Sequence, residues 1–247
     1  MAGHSKWANI KHKKAKTDAQ KGNRFTKISR EITVAVKHGG EDPEANIRLR
    51  MAIQKAKEAN MPNDNIQRAI YKGTGESSSQ DYEEVVYEGY GPGGFAVYLE
   101  IVTDNRNRTA GEIRNIFSKR GGNLGESGCV SWMFEKKSIF VLNGLDKTTD
   151  ENDVFEAAVN AGADDLYSND GQFEVSGSPE KFEAIKTALS KSDLEPSYSE
   201  IGYVPKNTIK LKDETARQAL ELLEALENHD DVQNVYANAD ISDEAAS

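Results

Sequence analysis

The first thirty residues of this 247-residue chain hold an uneven share of its charge. Only Asp18 is acidic there and nine side chains are basic, so the segment carries +8. The whole chain carries −10, which leaves −18 on the residues after Arg30. Such a block of like charge repels itself and is stabilised beside a polyanion, so we expect it to bind nucleic-acid phosphates. Its basic side chains are Lys6, Lys11, Lys13, Lys14, Lys16, Lys21, Arg24, Lys27 and Arg30.

Composition and patterning exclude several classes of protein. No run of about eighteen apolar residues is present, and the amino-terminal stretch lacks the apolar region of a secretory signal, so no membrane association is expected. The single cysteine, Cys129, forms no disulfide within the chain, which favours the reducing cytoplasm. We expect it to be a buried thiol and not a nucleophile. No histidine lies at a zinc-like spacing from it, so no metal and no cofactor are predicted.

A basic helical domain is predicted for residues 1–73. Residues 1–14 lack a sustained apolar period and are expected to form an arm that orders on binding, in which Trp7 either packs on the domain or stacks on a base. Three helices follow, and Arg48 and Arg50 lie off the apolar stripe of the second. The apolar stripe of the first helix consists of Phe25, Ile28, Ile32 and Ala35.

A glycine-rich segment at residues 89–94 matches the dinucleotide-binding pattern G-x-G-x-x-G. That pattern requires a helix to follow, so that the helix amino terminus holds the pyrophosphate. The residues that follow, 95–102, are instead strand-like. We therefore interpret the segment as a hairpin connection between that strand and the one at residues 82–88.

Two arginines, Arg106 and Arg108, stand at the predicted start of the next helix. Cations there oppose the helix macrodipole, so local stability alone does not explain them. In one interpretation they bind a phosphate together with the free backbone N–H groups. In the other, Asn107 or Thr109 caps the helix and the arginines point to water.

The remaining elements indicate an α+β fold with an insertion. Residues 138–203 follow the order βαββαβ, which is the ferredoxin-like arrangement. Residues 82–134 supply two strands, a helix and a strand at 129–134, and residues 206–238 supply the missing helix and strand. We therefore predict a helical amino-terminal domain followed by two ferredoxin-like α/β domains, the third (138–203) inserted in the second (82–134 plus 206–238).

Five motifs resemble the YebC/PmpR family, in the right order along the chain. They are MAGHSKWANIKH (1–12), FTKISREI (25–32), YEGYGPGG (87–94), DNRNRT (104–109) and GGNLG (121–125). The resemblance implies a helical domain plus two α/β domains, the third inserted in the second. It also implies a cytoplasmic regulator, either a DNA-binding transcriptional regulator or a ribosome-associated factor that eases stalling at proline runs.

These observations predict a non-enzymatic nucleic-acid-binding regulator of gene expression, whose partner is promoter DNA or ribosomal RNA, with the ribosome as a further candidate. If the arm neutralises about six to eight phosphates, log K falls with log salt at a slope of about −5 to −7. No catalytic residue and no metal ligand is predicted. The predicted nucleic-acid-binding residues are Lys6, Trp7, Lys11, His12, Lys13, Lys14, Lys16, Lys21, Arg24, Lys27, Arg30, Arg48, Arg50, Arg106 and Arg108.

Two other classes are weighed against this one. An enzyme acting on nucleic acid would use Asp104 and Glu112 with the nearby arginines to hold Mg²⁺ and phosphate. The absence of a clear nucleophile and base argues against it. A pure interaction module is compatible with a ferredoxin-like fold, but fold alone does not decide function. We interpret the negative charge on the residues after Arg30 as a contribution to solubility.

Overall fold

The computed structural model describes residues 21–75, 81–142, 151–169 and 172–241. These residues fall into two compact units, one from Trp132 to Asn207 and the other from the described residues on either side of it. The chain is an α+β protein in which helices come first and antiparallel sheets follow, as the sequence predicts. Within the described part of the chain, no helix is both long enough and apolar enough to cross a membrane.

Three helices open the larger unit: α1 (Lys21–Gly39), α2 (Ile47–Glu58) and α3 (Asn63–Gly73). Their apolar faces form one core, in which Ile32, Leu49 and Ala56 are fully buried. The predicted stripe of α1 faces this core, because residues three to four apart share one face of a helix. We call these three helices the helical part.

The rest of the larger unit is built on a four-stranded antiparallel sheet and is called the sheet part. Its strands β1 (Glu83–Tyr90), β2 (Ala96–Thr103), β3 (Asn123–Leu124) and β9 (Val232–Ala237) lie in the order β3-β1-β2-β9. Two helices, α4 (Arg106–Lys119) and α7 (Asp213–Glu227), pack into the core on one face. Two short strands, β8 (Ile209–Leu211) and β10 (Ala239–Ile241), form a parallel pair.

The glycine-rich segment is a hairpin connection, as predicted. Strands β1 and β2 pair antiparallel on either side of it, and the backbone N–H of Gly91 donates to the carbonyl of Phe95 at 2.8 Å. Gly89 has a packing role, since a Cβ atom there would lie 2.6 Å from the carbonyl oxygen of Asn123 on β3. The glycine therefore allows β3 to approach β1.

The second unit has the predicted βαββαβ order. It comprises β4 (Phe134–Leu142), α5 (Glu151–Asn160), β5 (Asp165–Asn169), β6 (Gln172–Gly177), α6 (Phe182–Lys191) and β7 (Tyr198–Pro205). Its strands are all antiparallel, in the order β5-β6-β4-β7. Its core includes Phe140, Val154 and Ile185, each fully buried.

The strand predicted at residues 129–134 is wrong. The chain instead turns and forms a short 3₁₀ helix at Ser131–Met133, and the strand begins at Phe134. The cause is the buried carboxylate of Glu88 on β1, which accepts hydrogen bonds from the backbone N–H groups of Gly128, Val130 and Ser131, each at 2.7 Å. Three N–H groups that converge on one carboxylate cannot also lie along an extended strand.

Candidate nucleic-acid interface

The predicted cations on α1 differ in their surroundings. Arg24 is exposed, whereas Lys27 and Arg30 are half-buried against the sheet part. Lys27 Nζ donates to the carbonyl of Glu227, and Asn23 Nδ2 donates to the carbonyl of Asn228 at 2.7 Å. These carbonyls lie at the carboxyl end of α7, where helix carbonyls lack intrahelical partners and carry the negative end of the macrodipole. Lys27 therefore places its positive charge at the negative end of the α7 macrodipole.

Arg30 contacts the loop that follows α7. Its guanidinium donates to the carbonyl of Asp230 and to the carboxylate of Asp231, the latter at 2.8 Å. It also lies over the ring of Tyr82, 5.7 Å from the ring centroid, in cation–π geometry. The side chain of Arg30 is only 15% exposed. An arginine predicted to contact phosphate thus has three partners within its own chain.

Asp231 is the centre of this contact. It is buried, and besides Arg30 its carboxylate accepts from Arg108 at 2.8 Å and from the hydroxyls of Thr109 and Thr103 at 2.5 and 3.1 Å. Burial acts to raise the pKa of Asp231, but the bonds from Thr109, Arg108 and Thr103 and the charge of Arg30 outweigh it and lower that pKa. The carboxylate is therefore held ionised, and its bond to Arg108 raises the pKa of that guanidinium.

The capping interpretation of the α4 amino terminus names the wrong residue. The capping residue is Asn105, whose side-chain oxygen accepts from the backbone N–H of Arg108 at 3.1 Å, and not Asn107 or Thr109. The hydroxyl of Thr109 instead donates a hydrogen bond to the carboxylate of Asp231. Arg108 also donates to Asp104 at 2.9 Å, so two carboxylates hold this exposed arginine, and Arg106 is exposed as well.

Arg48 on α2 forms a second bridge to the sheet part. Its guanidinium lies between Glu31 of α1, at 2.8 Å, and Glu84 of β1, at 2.6 Å. Burial acts to lower the pKa of Arg48, but its hydrogen bonds and charge interactions with Glu84 and Glu31 outweigh it and raise that pKa. His38 also approaches Glu84, at 3.3 Å. Glu84 thus contacts two side chains of the helical part, Arg48 and His38.

The fifteen predicted binding residues fall into three groups. Arg24, Arg106 and the half-buried Arg50 lie at or near the surface, and the backbone of Lys21 begins α1. Lys27, Arg30, Arg48 and Arg108 contact carboxylates or helix-end carbonyls of the same chain. Outside the described residues lie Lys6, Trp7, Lys11, His12, Lys13, Lys14 and Lys16.

The group formed by Glu112, His229 and Asp231 has the residue types of a metal site. Its chemistry does not fit one, because both oxygens of Asp231 already accept from guanidiniums, Arg30 on one and Arg108 on the other. His229 Nδ1 accepts from the backbone N–H of Asp231, and its Nε2 lies 2.9 Å from Glu112. A divalent cation placed there would meet two positive charges. The site is an internal ion-pair network.

Comparison with known proteins covers nearly the whole chain. Residues 5–76 match the model of the TACO1/YebC protein N-terminal domain, and residues 82–239 match that of the TACO1/YebC second and third domain. A relative from Natranaerobius thermophilus is 54% identical over 98% of each chain, and one from Halothermothrix orenii is 54% identical over 99% of this chain and 97% of its own. Both are named probable transcriptional regulatory protein.

A solved structure agrees with these sequence matches. The crystal structure of a conserved hypothetical protein from Aquifex aeolicus is 48% identical to this chain and superposes with a TM-score of 0.85. The match covers 97% of this chain and 98% of that one. The similarity therefore extends over both units of the fold.

Proposed function

The chain belongs to the TACO1/YebC family, and from that premise we propose that it is a nucleic-acid-binding regulator of gene expression that acts without catalysis. The name of its relatives, probable transcriptional regulatory protein, supports regulation at the level of DNA. Promoter DNA is accordingly the first candidate target.

The observation that carries the proposal is the charge of the amino-terminal third. Residues 21–75 hold eleven lysines and arginines against six acidic residues, and the residues before them add five lysines against Asp18 alone. The rest of the chain is strongly acidic, so this excess is confined to one end. Phosphate contacts supply most sequence-independent affinity for nucleic acids, which makes this end the proposed binding surface.

A second candidate target is structured RNA of the ribosome. One observation favours it: the lysines at positions 11, 13, 14 and 16 stand in a segment with a weak apolar period. Such a segment suits backbone and 2′-hydroxyl contacts that read RNA shape and does not need a preformed recognition helix. For that target, the resemblance to the YebC/PmpR family implies a ribosome-associated role in translation at proline-rich stretches.

Binding measurements across a salt series test the proposal. The full chain is titrated against a 30-base-pair duplex DNA and an RNA hairpin of equal charge, and log K is plotted against log salt. We expect a slope of about −5 to −7. When the lysines at 11, 13, 14 and 16 become alanine, the slope should become less steep by about 3 to 4. Higher affinity for the hairpin would support the ribosomal target.

A matched control removes the same amount of charge elsewhere. Replacement of the exposed residues Lys119, Lys191, Lys210 and Lys212 by alanine should leave both the affinity and the slope almost unchanged. If this control weakens binding as much as the amino-terminal variant does, the cationic end is not the binding surface. If neither nucleic acid binds at low salt, the proposal is wrong.

A further inference from the structure

The helical part and the sheet part have separate apolar cores. The cluster around Ile32 and Leu49 belongs to the first, the cluster around Leu99 and Leu222 belongs to the second, and the two share no residue. Polar contacts join the two parts, and we call this set the polar clasp. Its donors are Asn23, Lys27, Arg30 and Arg48, and its acceptors are the carbonyls of Glu227, Asn228 and Asp230 and the carboxylates of Asp231 and Glu84.

Three donors of the polar clasp, Lys27, Arg30 and Arg48, are also predicted phosphate ligands. Carboxylates and phosphates both accept charge-assisted hydrogen bonds from a guanidinium, so they compete for it. We propose that the polar clasp is an autoinhibitory contact, in which Glu84 and Asp231 hold cations that a nucleic-acid phosphate binds when the helical part separates from the sheet part. This inference rests on the function proposed above.

The geometry allows the polar clasp to open. The side chains of Arg48 and Glu84 are 39% and 42% exposed, so water and salt screen this pair and a phosphate can reach it. Asp231 is buried, but after Arg30 leaves it retains donors from Arg108, Thr103 and Thr109. Opening therefore does not leave an isolated buried charge in the sheet part.

Competition makes binding and opening reciprocal. A nucleic acid that binds the open form more tightly shifts the equilibrium towards it, and a variant that weakens the polar clasp binds nucleic acid more tightly because more of it is open. Glu84 is the best position to change, because it is exposed and contacts the helical part through Arg48 and His38. Its neighbour Glu83, exposed on the same strand, provides a control with the same change of charge.

The test measures the affinity of the full-length wild type, Glu84→Gln and Glu83→Gln for the 30-base-pair duplex and the RNA hairpin. We expect Glu84→Gln to bind about two- to five-fold more tightly than Glu83→Gln, as release of one partly exposed ion pair implies. Fluorescence energy transfer between dyes on Lys57→Cys and Gln218→Cys, in a Cys129→Ser background, reports opening. Transfer should change when nucleic acid is added, and in Glu84→Gln without it.

Each outcome decides a different question. If the wild type binds but Glu84→Gln matches Glu83→Gln in affinity or in energy transfer, the autoinhibitory contact is ruled out and the proposed function stands. If no protein binds either probe at low salt, both are ruled out. Tighter binding by Glu84→Gln together with altered transfer establishes the competition. Circular dichroism confirms that each variant is folded.

Discussion

Arg30, on the first helix, donates to the carboxylate of Asp231, 201 residues later in the sequence, across 2.8 Å. The two residues belong to parts of the fold with separate apolar cores. A side chain that sequence alone assigns to phosphate binding thus also joins the helical part to the sheet part. Its partner carboxylate is held ionised by Arg108 and two threonine hydroxyls.

Replacement of Asp231 by asparagine should destabilise the fold by about 3 kcal/mol, because it leaves two arginines and two hydroxyls without their shared anion. Urea unfolding followed by circular dichroism measures the change. Asp230→Asn is the matched control, since Asp230 is exposed and contacts Arg30 through its backbone carbonyl. A loss in the control equal to that in Asp231→Asn would contradict the assignment.

The contribution of Asp231 should depend on pH in a defined direction. Its pKa is lowered in the folded chain, so its stabilisation is fully present above the ordinary carboxyl pKa of about 4 and is lost as the pH falls through the lowered value. The difference in unfolding free energy between wild type and Asp231→Asn should therefore be constant from pH 7 to 5 and shrink below pH 4. A difference that grows on acidification would refute the lowered pKa.

Glu88→Gln should cost about 2 to 4 kcal/mol of stability, since an amide cannot accept all three hydrogen bonds that the buried carboxylate accepts. The same urea experiment measures it. Glu126→Gln, an exposed change in the neighbouring loop, should stay within about 0.5 kcal/mol of wild type. Equal effects of the two substitutions would mean that the three N–H contacts contribute little.

Two glycine substitutions should have opposite signs. Gly89→Ala forces a Cβ to 2.6 Å from the Asn123 carbonyl and should destabilise the protein by about 1 to 3 kcal/mol. Gly111→Ala, in α4 with nothing within 4 Å of the added Cβ, should stabilise it by about 0.5 to 1 kcal/mol. Thermal unfolding of both variants checks the pair, and a stabilised Gly89→Ala would show that β3 does not need the close approach.

The thiol of Cys129 should react slowly at neutral pH. Burial and the charges of Glu88 and Glu126 raise its pKa, and only the thiolate is nucleophilic. The rate of alkylation by iodoacetamide should therefore rise with a midpoint above the ordinary thiol pKa of about 8.5. The chain unfolded in urea supplies the reference, and a native midpoint at or below that reference would contradict this prediction.

Local pattern predicts most of the fold. The apolar stripe from Phe25 to Ala35, the glycine-rich hairpin and the βαββαβ order depend on neighbours close in sequence, where periodicity and turn chemistry are informative. The strand predicted at 129–134 is wrong because Glu88, some forty residues earlier, binds that segment. The strand propensity of residues 129–134 does not depend on that distant carboxylate, so it cannot predict the contact.

The sequence does not predict which residues of the same chain the basic side chains contact. Asp231 is one of 41 acidic residues, and nothing near it in the sequence shows that it is buried or that it meets Arg30 and Arg108. Thr103 and Thr109 are buried and need acceptors for their hydroxyls, but the sequence does not show that burial either. Long-range pairing of this kind follows from topology, which single-residue patterns do not encode.

Strand β9 pairs with β2, although all of residues 132–207 lie between them in the sequence. During synthesis Arg30 is therefore made roughly ten to forty seconds before Asp231, at translation rates of about 5 to 20 residues per second. Throughout that interval Lys27 and Arg30 have none of their late-made partners. The positive charges of these two side chains are therefore not neutralised by residues 227–231 while the nascent chain is still attached to the ribosome and close to its RNA.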